Sequence, residues 1–307
     1  VTYGPPLHDL DDDEWLQELA LELGDWTRPP ALAGERVTQD TIIDCHCHAG
    51  PGDGFQGPWD SRAALGVYLR RAREAGIQRT VLFGAFHSDS DSCNRAVARY
   101  VSLAPERLLG FVFVHAERDR GRVFPVVNYY VRRHRFCGIK VHRHQARLSR
   151  EICDVARRLR VPVLYDVGGE TTQAGLYADE YPDVDFIIPH LGSFADDWAA
   201  QTALIDVLCR KRNVYADTSG VRRHDLLEEA LRRAGPEKLL FGSDGPWIHP
   251  AVELAKIEHL PLTPAARRMV LGGNLLRLVR KQGRQPSVLA SSSCSARSVT
   301  LSNLAAR

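Results

Sequence analysis

From Thr41 onward the chain alternates two kinds of segment: short apolar runs rich in β-branched residues, and longer Arg/Glu/Leu/Ala stretches with apolar positions at helical spacing. That alternation is the pattern of strand-helix units building a parallel sheet. Eight apolar runs can be read: Thr41–Cys45, Arg79–Phe83, Gly110–Val114, Gly138–Val141, Val161–Tyr165, Asp185–Ile188, Asn213–Ala216 and Leu239–Phe241. They recur at roughly 25 to 40 residues, the length that a strand, a crossover helix and two loops require. Eight such units predict a (β/α)8 TIM barrel. A doubly wound open sheet uses similar units, but its glycine-rich nucleotide turn after the first strand is absent, and His46 and His48 stand there instead.

Flanking segments read differently. Residues 1–40 form an N-terminal extension with one amphipathic stretch, Asp12 to Leu23, which opens in an acidic cluster, ends at Gly24 and predicts an accessory helix. The barrel is assigned to residues 41–280, its last helix running from an N-cap at Thr263 to Arg280. Residues 281–307 are Ser-rich, without acids or a periodic apolar face, and read as a disordered tail.

Composition narrows the class. With 307 residues, 44% hydrophobic and 25% charged, the chain suits one folded barrel with extensions, a barrel typically needing ~250 residues. A net charge of +2 is too weak a field to predict nucleic acid as partner, and the recurring arginine pairs read as solvated helix faces. Seven scattered cysteines, without a recognisable secretory signal, argue for a reducing cytoplasm rather than a disulfide framework. No apolar stretch approaches the ~20 residues that span a bilayer. The expected partner is a small molecule, with assembly as a homodimer left open.

The ends of the apolar runs carry the chemistry, because barrel enzymes collect their sites where strands pass into the following loops. The exits hold His46 and His48, His87, His115, Lys140 with His142, Asp166, His190, Asp217 and Asp244. Strand alternation directs His46 and His48 to one face and Cys45 and Cys47 to the other, so the imidazoles can share a cation while the cysteines pack. The same geometry excludes a closed zinc site built from all four. Asp244 follows the eighth run, which in a closed barrel lies beside the first, and it can supply a hard oxygen ligand or a proton acceptor.

The chain resembles the amidohydrolase superfamily, in the amidohydrolase-related branch that includes aminocarboxymuconate semialdehyde decarboxylase and resorcylate decarboxylases. The resemblance spans roughly Thr41 to Leu278. Its carriers are Ile43-Asp44-Cys45-His46-Cys47-His48, Gly138-Ile139-Lys140-Val141-His142, Ile188-Pro189-His190-Leu191-Gly192, Val214-Tyr215-Ala216-Asp217-Thr218-Ser219-Gly220, Leu240-Phe241-Gly242-Ser243-Asp244 and Gly273-Asn274-Leu275-Leu276-Arg277-Leu278. It implies one divalent metal, usually zinc, held by His46, His48, a strand-five residue and Asp244, with His190 facing the substrate. The sequence departs from the pattern at strand five, where Asp166 occupies the histidine position. An aspartate ligand favours harder metals such as manganese, and His142 is the competing donor. Lys140 is either a carboxylated bridge between two metals or a cation for an anionic substrate, with one metal favoured.

Further candidates for substrate binding are His142, Arg143, Trp59, Arg222 and His249, with Phe55 and Trp247 beside them. Arginines at strand exits can hold a carboxylate bidentately. The reaction these parts imply is hydrolysis of an amide, lactone or ester by metal-activated water, with Asp244 taking the proton, His190 polarising the carbonyl and Lys140 assisting. The competing expectations are non-oxidative decarboxylation of an unsaturated or aromatic acid, and a metal-free barrel that only binds.

Overall fold

The computed structural model describes residues 41–50, 52, 65–194 and 197–280. The expected accessory helix, the Ser-rich tail, Phe55 and Trp59 lie outside the described residues.

Eight parallel strands stand in sequential order: β1 (Ile43–Ala49), β2 (Arg79–Gly84), β3 (Leu108–Phe113), β4 (Gly138–His142), β5 (Val163–Asp166), β6 (Phe186–Ile188), β7 (Val214–Asp217) and β8 (Leu239–Leu240). Backbone bonds from Cys45 N to Phe241 O (3.0 Å) and from His48 N to Gly245 O (2.7 Å) join the last strand and its exit to the first, closing the barrel. Helices fill the crossovers: α1 (Leu65–Glu74), α2 (Ser90–Leu103), α3 (Val123–Arg133), α4 (Arg150–Leu159), α5 (Thr172–Glu180), α6 (Trp198–Arg210) and α7 (His224–Ala234), with α8 (Pro250–Glu258) beyond β8. Polar N-caps fix several starts. Asp89, Ser149 and Asp197 each accept a backbone N–H from the first turn of α2, α4 and α6, satisfying groups the helix leaves unpaired.

Period two divides the strand residues between two cores. Val81, Phe83, Phe111, Leu164, Ile187, Tyr215 and Leu240 fill the barrel interior, while Leu82, Val112, Val141, Val163, Ile188 and Val214 pack outward under the helices. Fully burying each such aliphatic or aromatic side chain contributes about 1.5–3 kcal/mol. The same parity carries Lys140, His142, Asp166 and Asp217 inward, above that apolar floor.

Two local expectations change. The β1–β2 register slips between Asp44 and Cys47, so strict alternation fails: Cys47 packs outward as expected, but Cys45 joins the interior cluster beneath the histidines. The final helix runs from the Thr263 cap to Arg280 as expected, but it is not α-helical throughout. It runs as α9 (Pro264–Arg268), a π turn (Met269–Gly273) and α10 (Asn274–Val279). A Cβ on Gly272 would lie 2.8 Å from Thr41 O, so the widened turn and the missing side chain let this segment approach the start of β1. Leu275 and Leu278 of α10 then complete the interior cluster. Among the described residues no helix is long and apolar enough to cross a membrane.

Candidate active site

Three imidazoles meet at the carboxyl end of the barrel, and each is fixed by a partner that can only accept. His46 Nδ1 lies 2.8 Å from Asp217 Oδ2, His48 Nδ1 3.2 Å from Gly84 O, and His190 Nδ1 2.9 Å from Ser219 O. A carbonyl or ionised carboxylate requires the proton on Nδ1, which leaves Nε2 of each neutral ring as a lone-pair donor. His46 Nε2 and His48 Nε2 lie 3.2 and 3.3 Å from the same Asp244 Oδ1. His46 Nε2 is buried and makes no hydrogen bond. Ligand atoms of His46, His48 and Asp244 all fall within 4.8 Å of one another, as do those of His46, His190 and Asp217. An orphaned nitrogen, a second oriented imidazole and a shared hard oxygen fit a divalent cation.

Electrostatics follow from burial and these neighbours. Burial and Lys140 press the His46 ring downward, but Asp217 and Asp244 together outweigh them and carry it up to about 9. Burial dominates at His48, which falls to about 4 against the pull of Asp244. Burial would raise the carboxyls of Asp244 and Asp217, yet His46 and its partners hold both below the usual carboxylate range. A metal ion needs the His46 lone pair that a proton otherwise occupies. Divalent metal binding is therefore expected to release a proton and to tighten as pH rises towards about 9, by roughly tenfold per unit. Titration calorimetry in two buffers of different ionisation enthalpy checks this, and binding without proton release would contradict it.

The backbone is strained where the chemistry sits. Asp244 (φ 56°), His190 (φ 57°) and Leu191 (φ 50°) occupy the left-handed region without being glycine, a cost of order 1–3 kcal/mol each that folds tend to retain at functional positions.

Lys140 is fully buried, its Nζ making no hydrogen bond and lying 4.7 Å from the Phe83 ring centre. Burial lowers its ammonium to about 8 against the attraction of Asp166, Asp217 and Asp244. Asp166 belongs to neither three-donor group among the described residues. Its Oδ1 accepts the Gly168 N–H at 2.9 Å and its Oδ2 faces the buried His142 Nδ1 at 3.4 Å. His142 is buried, burial keeping its ring neutral, and it stacks 5.5 Å from His48 and lies tilted 4.5 Å from Phe86.

The remaining expected residues divide. Trp247 reaches the site, its ring 4.5 Å from His48 and its buried Nε1 without a hydrogen bond. Arg143 is drawn into an ion pair with Glu170 at 2.5 Å. His249 caps α8, accepting the Ala251 N–H. Arg222 is exposed beyond β7. His87 and His115 accept backbone N–H groups of their own turns. Sequence reasoning gave no role to Asp217, Ser219 or Phe86. Asp217 was visible as a strand-exit acid, but its partners outside its own loop arrive from β1 and from the turn after β6.

Comparisons with known proteins bear on the fold and the family. The comparison with curated proteins yields no match. Solved structures match in fold. 5-Carboxyvanillate decarboxylase from Sphingomonas paucimobilis is 15% identical, with a TM-score of 0.61 over 78% of this chain and 99% of its own. Dihydroxybenzoic acid decarboxylase from Polaromonas, which has bound manganese and 2-nitroresorcinol, is 16% identical, with a TM-score of 0.59 over 78% and 97%. A probable 2-pyrone-4,6-dicarboxylic acid hydrolase from Acinetobacter baumannii, with citric acid bound, is 16% identical, with a TM-score of 0.62 over 78% and 99%. At these identities the likeness is one of fold. The sequence itself matches the family model described as amidohydrolase over residues 43–281, from the first strand to beyond the last helix, and the chain belongs to the amidohydrolase family of enzymes.

Proposed function

We propose that the protein is a metal-dependent hydrolase that cleaves an amide, lactone or ester bond in a small, carboxylate-bearing molecule. The observation that carries this reading is the convergence of His46, His48 and Asp244 on one point, with both Nδ1 positions committed elsewhere. His46, His48 and Asp244 are the residues that would hold the cation, zinc or manganese. When bound, such an ion acidifies water and polarises a carbonyl.

The chain's own groups supply the rest. His190 carries its proton on Nδ1 towards Ser219 O, so its neutral ring accepts at Nε2 instead of donating. It therefore suits a proton acceptor that later returns the proton to the leaving group, rather than the carbonyl-polarising donor expected from sequence. The charge-stabilising role passes to Lys140. A buried ammonium without a hydrogen bond is suited to a developing oxyanion and to the carboxylate that hydrolysis releases. Asp166 and His142 are assigned to the wall beside His48, where the acid orients the imidazole.

Decarboxylation of an unsaturated acid is the second reading. It is favoured by Phe86 and Trp247, whose rings lie 14° from parallel beside His48 and His142 and offer flat walls to a planar substrate. Relatives of the same fold include decarboxylases by name. Metal-loaded protein incubated with panels of lactones, esters, amides and aromatic acids, while acid and carbon dioxide are followed, separates the two. Acid release without carbon dioxide is the expected result. Carbon dioxide release would replace the hydrolase by the lyase, and a chain that binds no divalent metal would remove the basis of both.

A further inference from the structure

Asp217 is fully buried and receives four donors, and their arrangement is asymmetric. Its Oδ2 takes the His46 Nδ1 proton at 2.8 Å. Its Oδ1 takes the Ser219 hydroxyl at 2.6 Å, the Ser219 backbone N–H at 3.0 Å and the His190 backbone N–H at 3.2 Å. The Ser219 hydroxyl also lies 3.0 Å from His190 Nδ1, which donates to Ser219 O and shares its proton with this oxygen. The Ser219 hydroxyl lies 3.3 Å from His46 Nδ1 as well, so the serine touches both rings, while the carboxylate binds the ring of His46 and the backbone N–H of His190.

We propose that Asp217 and Ser219 form a proton-position clamp: they are positioning residues that keep Nδ1 of His46 and His190 protonated and so turn both Nε2 atoms outward as donors. The two backbone N–H groups at Oδ1 make the clamp directional. They cannot reverse, so that corner must hold an oxygen. An asparagine here must place its oxygen at those groups and its NH2 against His46 Nδ1. Two donors cannot face each other, so His46 must shed the Nδ1 proton and carry it on Nε2, the atom needed for a cation. A conservative replacement of nearly unchanged shape therefore inverts the ring's donor and acceptor ends. Ser219→Ala leaves both backbone donors and the Ser219 carbonyl in place and preserves the proton on both rings.

The test uses the full chain, stripped of metal with chelator, labelled with 15N-histidine and examined by long-range proton-nitrogen correlation above about pH 9, where the His46 ring carries a single proton, with Zn2+ titration by calorimetry at neutral pH alongside. In the wild type the His46, His48 and His190 Nδ1 atoms are expected to be protonated. In Asp217→Asn the His46 Nδ1 is expected to lose its proton, and the Kd for Zn2+ to weaken by roughly 10- to 100-fold, the range typical of groups that orient a metal-binding histidine. Ser219→Ala, which removes one donor to Asp217 Oδ1 but leaves the acceptors of both rings in place, should keep the proton on both Nδ1 atoms and weaken the Kd by less than Asp217→Asn does. A folded Asp217→Asn protein that retains the His46 Nδ1 proton would overturn the clamp. So would an unprotonated His46 or His190 Nδ1 in the wild type, a measurement that needs no variant. The Kd arm rests on the metal reading above, whereas the proton-position arm does not: if the wild type binds no Zn2+ but the proton positions shift as stated, the metal reading fails and the clamp stands.

Discussion

Asparagine at position 244 is expected to abolish practical metal binding while leaving the barrel folded. Asp244 is the only carboxylate that faces both His46 Nε2 and His48 Nε2 among the described residues. Replacing it by a neutral amide removes one unit charge beside a buried cation. At about 4 Å and an effective dielectric near 20, that is worth about 4 kcal/mol, or roughly a thousandfold in Kd. Asparagine is the right replacement because Asp244 has φ 56°, and asparagine tolerates this region nearly as well as aspartate, whereas alanine would add backbone strain to the loss of charge. The readout is thermal. At a metal concentration about a hundred times the wild-type Kd, binding contributes about 2.7 kcal/mol, which shifts Tm by ~5–10 °C in a domain of this size. The variant should show no shift at that concentration, and hydrolysis should fall in parallel. An equal shift in both proteins would remove Asp244 from the metal site.

How much of this was legible follows from which interactions are local. The eight strands and the inward direction of Lys140, His142, Asp166 and Asp217 were readable because a strand alternates faces whatever surrounds it. The pairing of Asp244 with His46 and His48 was readable too, since closing an eight-strand sheet brings the last exit beside the first strand. Cys45 was misplaced because a register slip leaves no residue signature: no glycine or proline marks the Asp44–Cys47 step. The same holds for the left-handed backbone of His190, Leu191 and Asp244, where the usual glycine or asparagine is missing. Arg143 and His249 were plausible ligand contacts by position, and only the structure brings Glu170 to the first and turns the second onto the Ala251 N–H. Asp166 illustrates the deeper limit. Its place on β5 follows from the pattern, but which way each oxygen turns depends on Gly168 and His142, which compete for it locally.

Lys140 should reveal a conflict between stability and activity. Its ammonium is fully buried without a hydrogen bond, and burying a polar group in that state costs about 1–3 kcal/mol by mutational measures. Methionine has similar length and volume and no group to satisfy. At pH 7, Lys140→Met is therefore expected to be more stable than the wild type by about 1–3 kcal/mol in urea unfolding, because the burial that lowers the ammonium outweighs the attraction of Asp166, Asp217, Asp244 and the Phe83 ring that the variant loses. The pH dependence gives the sign. A lysine lowered from 10.5 in the unfolded chain to about 8 in the fold destabilises the folded state fully below about 8, and this penalty fades as pH rises from there towards 10.5. The advantage of the methionine variant should accordingly shrink between pH 7 and pH 10. Its hydrolytic rate should fall by roughly 100- to 1000-fold, the usual effect of removing one preorganised oxyanion-stabilising group, with metal affinity unchanged or slightly improved because a like charge has gone. A variant that is less stable than the wild type at pH 7 would mean that the ammonium already has a partner in the resting enzyme, and its assignment to the developing negative charge would then fall.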